Sequence, residues 1–71
     1  MRPISEHPEI GVRVNIHFKD TERGNNGNRD GIWTSEKWQF RKPYTKDEYE
    51  DIPEHLEPIG WEEMSREPYS K

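Results

Sequence analysis

The sequence contains no cysteine and no alanine, and leucine occurs only once, at Leu56. Without cysteine there is no disulfide framework and no thiolate metal site. No run of about 18 apolar residues is present, so no segment is predicted to span a membrane. The first residues lack the apolar stretch of a signal peptide, and we therefore expect a cytoplasmic protein. At 71 residues the chain is expected to form one small domain, 1–71.

Apolar residues are scarce: they make up 27% of the chain, whereas 37% of the residues are charged. High charge with low hydrophobicity is typical of disordered chains, but eight aromatic residues, three of them tryptophan, argue against disorder. The other apolar residues are mostly isoleucine and valine, which favour strands as aromatic residues do. The composition therefore predicts a β-rich domain with an ordered centre at about 3–64 and a frayed tail at 65–71.

Two apolar blocks and a short C-terminal segment predict the strands. Residues 11–19 alternate apolar and polar side chains, which is the pattern of a strand with one solvated face. Residues 31–42 fit either one long or bulged strand, or two short strands around Ser35-Glu36. We favour the single strand because no glycine or asparagine is available there for a tight hairpin turn. A last short strand is predicted at 58–64.

The segments between these blocks predict a loop and a helix. Residues 20–31 contain no apolar residue and are expected to form a flexible loop. Thr45 and Glu48 fit a capping box, and with Pro53 downstream they predict one short helix near 46–52. The expected fold class is α+β, mostly β: a small antiparallel sheet of three to four strands with one short helix. The expected core comprises Val12, Val14, Ile16, Phe18, Ile32, Trp38, Phe40, Ile59 and Trp61.

The net charge of −4 is unevenly distributed along the chain. Residues 1–46 carry a net charge of +3, and residues 47–71 carry −7. An acidic surface with nearby aromatic rings can steer and hold a protein that has a basic surface. We therefore predict a non-enzymatic accessory protein that binds a partner protein and modulates or inhibits it. The predicted contact residues are Asp47, Glu48, Tyr49, Glu50, Asp51, Glu54, Trp33 and Tyr44.

A second hypothesis comes from the stretch 37–46, which interleaves basic and aromatic residues. Basic residues can follow phosphates while exposed rings stack on the bases of single-stranded nucleic acid. The acidic total works against nucleic-acid binding, because counterion release needs a dominant basic surface. The residues that would bind nucleic acid are Lys37, Arg41, Lys42 and Lys46. A third hypothesis is a small structural or self-assembling protein, and a homodimer is compatible with each of the three.

No pattern in the sequence predicts a metal site, a cofactor or a reaction. His7, His17 and His55 are isolated and lack the spacing of zinc ligands. Residues 26–37 resemble a calcium loop at their start, but asparagine stands at the first position and lysine at the last. The chain shows no order of nucleophile and base, and its size leaves little room for a catalytic pocket. We therefore expect that the protein is not an enzyme.

The first residues follow a distinctive order, I-S-E-x-P-E-x-G-x-x-V, at positions 4–14. Residues 31–33, Gly-Ile-Trp, and residues 60–64, Gly-Trp-Glu-Glu-Met, come later in the chain. This order resembles the opening, middle aromatic strand and closing strand of a small uncharacterised domain family of tailed phages and prophages. The resemblance implies a compact antiparallel β fold and a phage accessory protein. If the protein is phage-encoded, its expected location is the host cytoplasm, and the partner protein predicted above is a host protein. The resemblance implies no particular activity.

Overall fold

The computed structural model describes residues 1–64, which form six strands in one sheet. The strands lie in the order β1-β6-β2-β3-β4-β5, and all neighbours are antiparallel. In this part of the chain no helix is long and apolar enough to cross a membrane. The tail expected to fray, 65–71, lies outside the described residues. The strands are β1 (Arg2–Pro3), β2 (Val14–Asp20), β3 (Asn25–Trp33), β4 (Trp38–Arg41), β5 (Tyr49–Asp51) and β6 (Leu56–Glu63).

The prediction of an α+β fold with three to four strands and one short helix is wrong, because the described residues are all-β. Where the helix was expected, near 46–52, the chain bends and then forms β5, which pairs with β4. The hydroxyl of Thr45, the expected helix cap, instead donates to the carbonyl oxygen of Lys42 at 2.8 Å. A helix of two turns is marginal on its own. Pairing with β4 satisfies the backbone of this segment instead.

The loop expected at 20–31 is much shorter in the structure. Residues 25–31 belong to β3, which pairs with β2 over seven residues. The carbonyl oxygen of Asp20 closes the short turn by accepting a hydrogen bond from Gly24 N–H at 2.7 Å. Gly24 has the positive φ, 79°, that this turn requires. The first half of β3 lacks an apolar pattern because its core-facing residues are glycine and arginine.

Residues 31–42 form a hairpin, so the preference for one continuous strand is wrong. A four-residue turn joins β3 to β4, and Ser35 within it has a φ of 81° although it is neither glycine nor asparagine. The N–H and the hydroxyl of Thr34 both donate to the carbonyl oxygen of Lys37 at 3.0 Å. The N–H of Lys37 donates in return to the Thr34 hydroxyl at 3.2 Å. These hydrogen bonds offset the cost of a left-handed residue, about 1–2 kcal/mol.

The core lies on one face of the sheet. Its periphery is formed by Phe18, Trp38, Ile52 and Leu56. Three expected core residues are not in it: Val12 and Ile59 are exposed, and Ile32 pairs with Gln39, which places it on the opposite face from Phe40. Val12 is exposed because it precedes β2 and is not part of the sheet. The buried apolar side chains within residues 1–64 are those of Val14, Ile16, Phe40 and Trp61.

A β-bulge in β6 explains the exposure of Ile59. The pairing of β6 with β2 passes from Pro58 directly to Gly60, which leaves Ile59 without a partner in β2. The extra residue reverses the alternation of side chains along β6. As a result, Leu56 before the bulge and Trp61 after it both pack in the core.

The N-terminal segment closes one end of the core. The indole N–H of Trp61 donates a hydrogen bond to the carbonyl oxygen of Glu6 at 2.6 Å. Gly11 N–H donates to the carbonyl oxygen of Trp33 at 3.0 Å, and the ring of His7 stacks on that of Trp33 with 3.8 Å between centroids. The segment between β1 and β2 is therefore attached to the sheet at both of its ends.

A basic side chain covers another part of the core. The guanidinium carbon of Arg29 lies 4.9 Å from the centroid of the Phe40 ring. The same guanidinium donates hydrogen bonds to the Glu50 carboxylate and to the Arg41 carbonyl oxygen, both at 3.0 Å. Long basic side chains can shield apolar surface in this way while their charged ends stay hydrated.

The variant Gly31→Ala is expected to destabilise the fold. A Cβ atom at this buried position would clash with the carbonyl oxygen of Gln39 and would lie 2.7 Å from Cδ1 of Ile16. We expect the free energy of unfolding in urea to fall by about 1–3 kcal/mol. Asn28→Ala, on an exposed position of the same strand, is the control and should change it by less than about 0.5 kcal/mol. Equal stability of the two variants would contradict the close approach of β4 to β3.

The variant Ser35→Gly is expected to stabilise the hairpin, because glycine adopts a positive φ without the steric cost that serine has. We expect the free energy of unfolding to rise by about 1 kcal/mol. Glu36→Gly, at the next position, should lower it, because the added glycine only increases the freedom of the unfolded chain. Thermal unfolding of both variants measures the difference, and a loss of stability in Ser35→Gly would contradict the turn geometry.

Candidate functional site

An open groove lies between the β3–β4 hairpin and the connection from β5 to β6. Its volume is about 410 Å³. Apolar side chains form most of its surface, and charged groups stand at its margin. The apolar lining consists of Trp33, Trp38, Ile52, Pro53, Leu56 and Pro58, and the charged lining consists of Glu36, Lys37, Asp51 and Glu54.

Two tryptophans form the aromatic part of the groove. Trp33 ends β3 and Trp38 begins β4, and the two residues pair across the hairpin with 5.2 Å between ring centroids. Trp38 also packs against the buried Trp61, at 6.4 Å, while Trp33 stacks on His7. Both groove tryptophans are only half-buried. Partly exposed tryptophans that are already held by packing are typical anchors of protein interfaces.

Three acidic residues, Glu36, Asp51 and Glu54, and one basic residue, Lys37, line the groove. Asp51 pairs with Gln39, so its carboxylate lies on the opposite face of the sheet from Trp38. The side-chain amide of Gln39 donates to Oδ1 of Asp51 at 2.9 Å, and Nζ of Lys37 lies 2.9 Å from the same oxygen. These two hydrogen bonds lower the pKa of Asp51 below its ordinary value of 3.8, and the hydrogen bond from Gln39 has the larger effect. Because Asp51 is already paired with Lys37, Glu36 and Glu54 supply the negative charge that suits a cationic ligand at the groove.

The structure brings three of the predicted contact residues together, because Trp33, Asp51 and Glu54 all line the groove. Glu50 does not join them. It lies on the core face opposite Phe40, as Trp38 does, but it does not line the groove and its carboxylate forms an ion pair of 3.0 Å with Arg29. Strand alternation thus divides the acidic stretch between two faces of the sheet.

The other predicted contact residues lie outside the groove. Asp47 and Glu48 are exposed in the connection from β4 to β5. Tyr44 is fully exposed in the same connection and has a φ of 65°. Tyr49 is half-buried at the start of β5, where it pairs with Arg41. These four residues therefore form no common surface with the tryptophan pair.

The basic residues of the nucleic-acid hypothesis are partly neutralised. Nε of Arg41 lies 2.5 Å from Oδ2 of Asp30, and Nη1 of Arg41 donates to the carbonyl oxygen of Thr45. The hydrogen bond to Asp30 raises the pKa of Arg41 above its ordinary value. Lys42 and Lys46 are exposed and form no ion pair within residues 1–64. Lys37 is already paired in the groove, so two cations remain for a phosphate backbone.

The three histidines lie in separate environments. His7 stacks on Trp33, and Nε2 of His17 lies 3.0 Å from a carboxylate oxygen of Glu62. The carbonyl oxygen of His55 accepts a hydrogen bond from the hydroxyl of Thr21 at 2.9 Å. Among the residues that the structure describes, no three histidine or carboxylate side chains are placed to hold a metal ion.

Sequence reasoning missed several groove residues. The sequence predicts Trp38 as a core residue and not as a protein-binding residue, although it also lines the groove. Ile52, Pro53 and Glu36 were given no functional role. The two tryptophans are five positions apart, and a hairpin with a four-residue turn makes such a pair directly opposite cross-strand neighbours. A hairpin prediction for residues 31–42 would therefore have indicated the aromatic part of the site.

Comparison of the chain with protein-family models, with curated proteins and with solved structures finds no match. The resemblance to phage domains therefore stays a prediction. The geometry and charge of the groove are the basis for a functional assignment.

We expect the carboxyl group of Asp51 to titrate below 3.8 in carboxyl-detected NMR. Gln39→Ala and Lys37→Met should each raise the pKa of Asp51 toward 3.8, whereas Lys42→Met should leave it unchanged. Because the folded state lowers this pKa, the ionised carboxylate stabilises the fold above pH 3.8, and that contribution is lost as the pH falls through the folded value. A wild-type pKa at or above 3.8 would contradict the described hydrogen bonds.

Proposed function

We propose that the protein is a non-enzymatic binding module that holds a basic, extended segment of a partner protein in the groove at Trp33 and Trp38. One observation carries the proposal: a single groove combines two pre-positioned tryptophans with two exposed glutamates, Glu36 and Glu54. Tryptophan rings attract cationic side chains through their faces, and carboxylates pair with the same cations. An arginine of the partner satisfies both conditions, because its planar guanidinium can stack and form two hydrogen bonds at once.

The shape of the groove favours an extended segment over a small molecule. Binding pockets for small ligands enclose most of the ligand surface. This groove is open to solvent along its length and is bordered by Pro53 and Pro58. Proline-rich segments adopt a preformed extended helix that lies across aromatic grooves at low entropic cost. We therefore favour a partner segment that contains both proline and arginine or lysine.

The charges of the groove also distinguish a protein partner from nucleic acid. Glu36 and Glu54 would face the phosphates of a bound strand, and their repulsion opposes binding. The negative net charge of the whole chain adds a long-range attraction for a basic protein surface.

The phage resemblance extends the proposal to the identity of the partner. In that context the partner is a host protein in the host cytoplasm, and occupation of the groove modulates or inhibits it. The binding proposal itself depends only on the groove residues.

Charge reversal at the margin of the groove is expected to weaken peptide binding. The variant that combines Glu36→Lys with Glu54→Lys changes two exposed carboxylates without touching the core. With a synthetic peptide of alternating proline and arginine as the probe, we expect at least about tenfold weaker binding, or 1.4 kcal/mol. Quenching or shift of tryptophan fluorescence measures the affinity. A peptide with glutamate in place of arginine should not bind the wild type.

The matched control combines Asp47→Lys with Glu48→Lys, which makes the same change of net charge outside the groove. This control should bind the peptide within about threefold of the wild type, less than the tenfold that a lost ion pair of 1.4 kcal/mol produces. Equal weakening of both double variants would assign the attraction to net charge rather than to the groove. Wild-type affinity in both variants would contradict the proposal. Affinity capture from a bacterial lysate with the same three proteins then identifies partners that depend on the groove.

A further inference from the structure

The strand β3 is paired unequally on its two sides. On one side β2 pairs with residues 25–31, and on the other side β4 pairs only with residues 31–33. Within the described part of the chain, residues 25–30 therefore have no strand on the β4 side. At about 3.4 Å per residue, this open edge is roughly 20 Å long.

The two terminal strands of the sheet are protected against strand addition. β1 has only two residues and one of them is Pro3, which has no N–H to donate. β5 has three residues, of which Glu50 and Asp51 carry charge. Short edge strands, proline and charged side chains are the usual means by which proteins keep sheet edges from pairing.

The first four residues of the open edge of β3 have none of these features. Residues 25–28 read Asn-Asn-Gly-Asn, without charge or proline, and no bulge interrupts their pairing with β2. The charges that follow are engaged within the chain, because Arg29 pairs with Glu50 and Asp30 pairs with Arg41. This edge is therefore regular, neutral and available for pairing.

We propose that the open edge of β3 pairs with the same edge of a second copy of the chain, which joins two sheets into a symmetric dimer. Facing residues in such a pair must have their side chains on the same side of the joined sheet. Centred on Gly27, the pairing sets Asn26 opposite Asn28 of the second copy and Asn25 opposite Arg29. No like charges face each other in this register.

The chemistry of the edge favours a second copy over an unrelated protein. Residues 25–28 carry no charge, and Arg29 and Asp30 are paired within the chain, so the edge does not select a partner of one sign. Asparagine side chains both donate and accept hydrogen bonds and so complement one another. Asn26 and Asn28 are exposed on the polar face, where they can meet their counterparts. A pairing of about five residues makes a small interface, so the dimer forms at high protein concentration only.

The dimer interface is separate from the proposed peptide groove. None of residues 25–30 lines the groove. Dimerisation should therefore survive Glu36→Lys with Glu54→Lys, and peptide binding should survive loss of the dimer. Failure of one proposal is thereby distinguishable from failure of the other.

The test is a double variant that combines Asn26→Glu with Asn28→Glu. Within one chain the new carboxylates face Lys19 and His17 of β2, which favours folding. Across the dimer they face each other and repel. We expect sedimentation of the wild type to show a dimer that forms between about 10 µM and about 1 mM, and at least about tenfold weaker association of the variant.

Charge complementation checks the register. The variant that combines Asn26→Lys with Asn28→Lys should also fail to dimerise alone, and an equal mixture with the glutamate variant should restore the dimer, because opposite charges then face each other. Ser5→Glu with Tyr44→Glu, two exposed positions outside β3, makes the same charge change and should dimerise like the wild type. A wild type that is monomeric over the whole range, a dimer that persists in the glutamate variant, a mixture that stays monomeric, or loss of the dimer in this control would each overturn the proposal.

Discussion

A single sheet has to cover its own apolar face here, because residues 1–64 supply no second layer of strands or helices. Trp61 covers part of this face. Its side chain is almost fully buried, its ring contacts that of Trp38, and its indole N–H donates a hydrogen bond to the backbone of Glu6. Elsewhere in the core, the guanidinium of Arg29 covers the ring of Phe40. With so few aliphatic residues available, aromatic and basic side chains provide the cover that leucine and alanine provide in most domains.

The groove forms where the apolar face of the sheet is incompletely covered. Trp33 and Trp38 lie at the end of the sheet, next to His7 and to the connection between β5 and β6, and both rings keep part of their surface in solvent. Their positions are nevertheless fixed by the hairpin and by the contact with Trp61. A site with rigid rings and a charged margin is thus a by-product of how the core is closed, and it costs little further ordering when a ligand binds.

The sequence predicts those parts of the fold in which apolar alternation coincides with burial. This is true of β2, where Val14 and Ile16 face the core as expected. It fails in the first half of β3, because its place in the sheet is set by pairing with β2 and not by its own side chains. The expected site residues Asp51 and Glu54 are brought together with Trp33, but their proximity depends on the connection that follows β5, for which no local pattern exists.

The bulge at Ile59 determines which face of the sheet the side chains of the C-terminal part of β6 occupy. Substitution of Ile59 leaves the number of residues intact, so the strand keeps its register whatever the new side chain is. Deletion of this position would restore regular alternation and turn the indole that lies at the centre of the core toward the opposite face. Over evolutionary time, this stretch should therefore vary freely in residue type at position 59 while its length remains fixed.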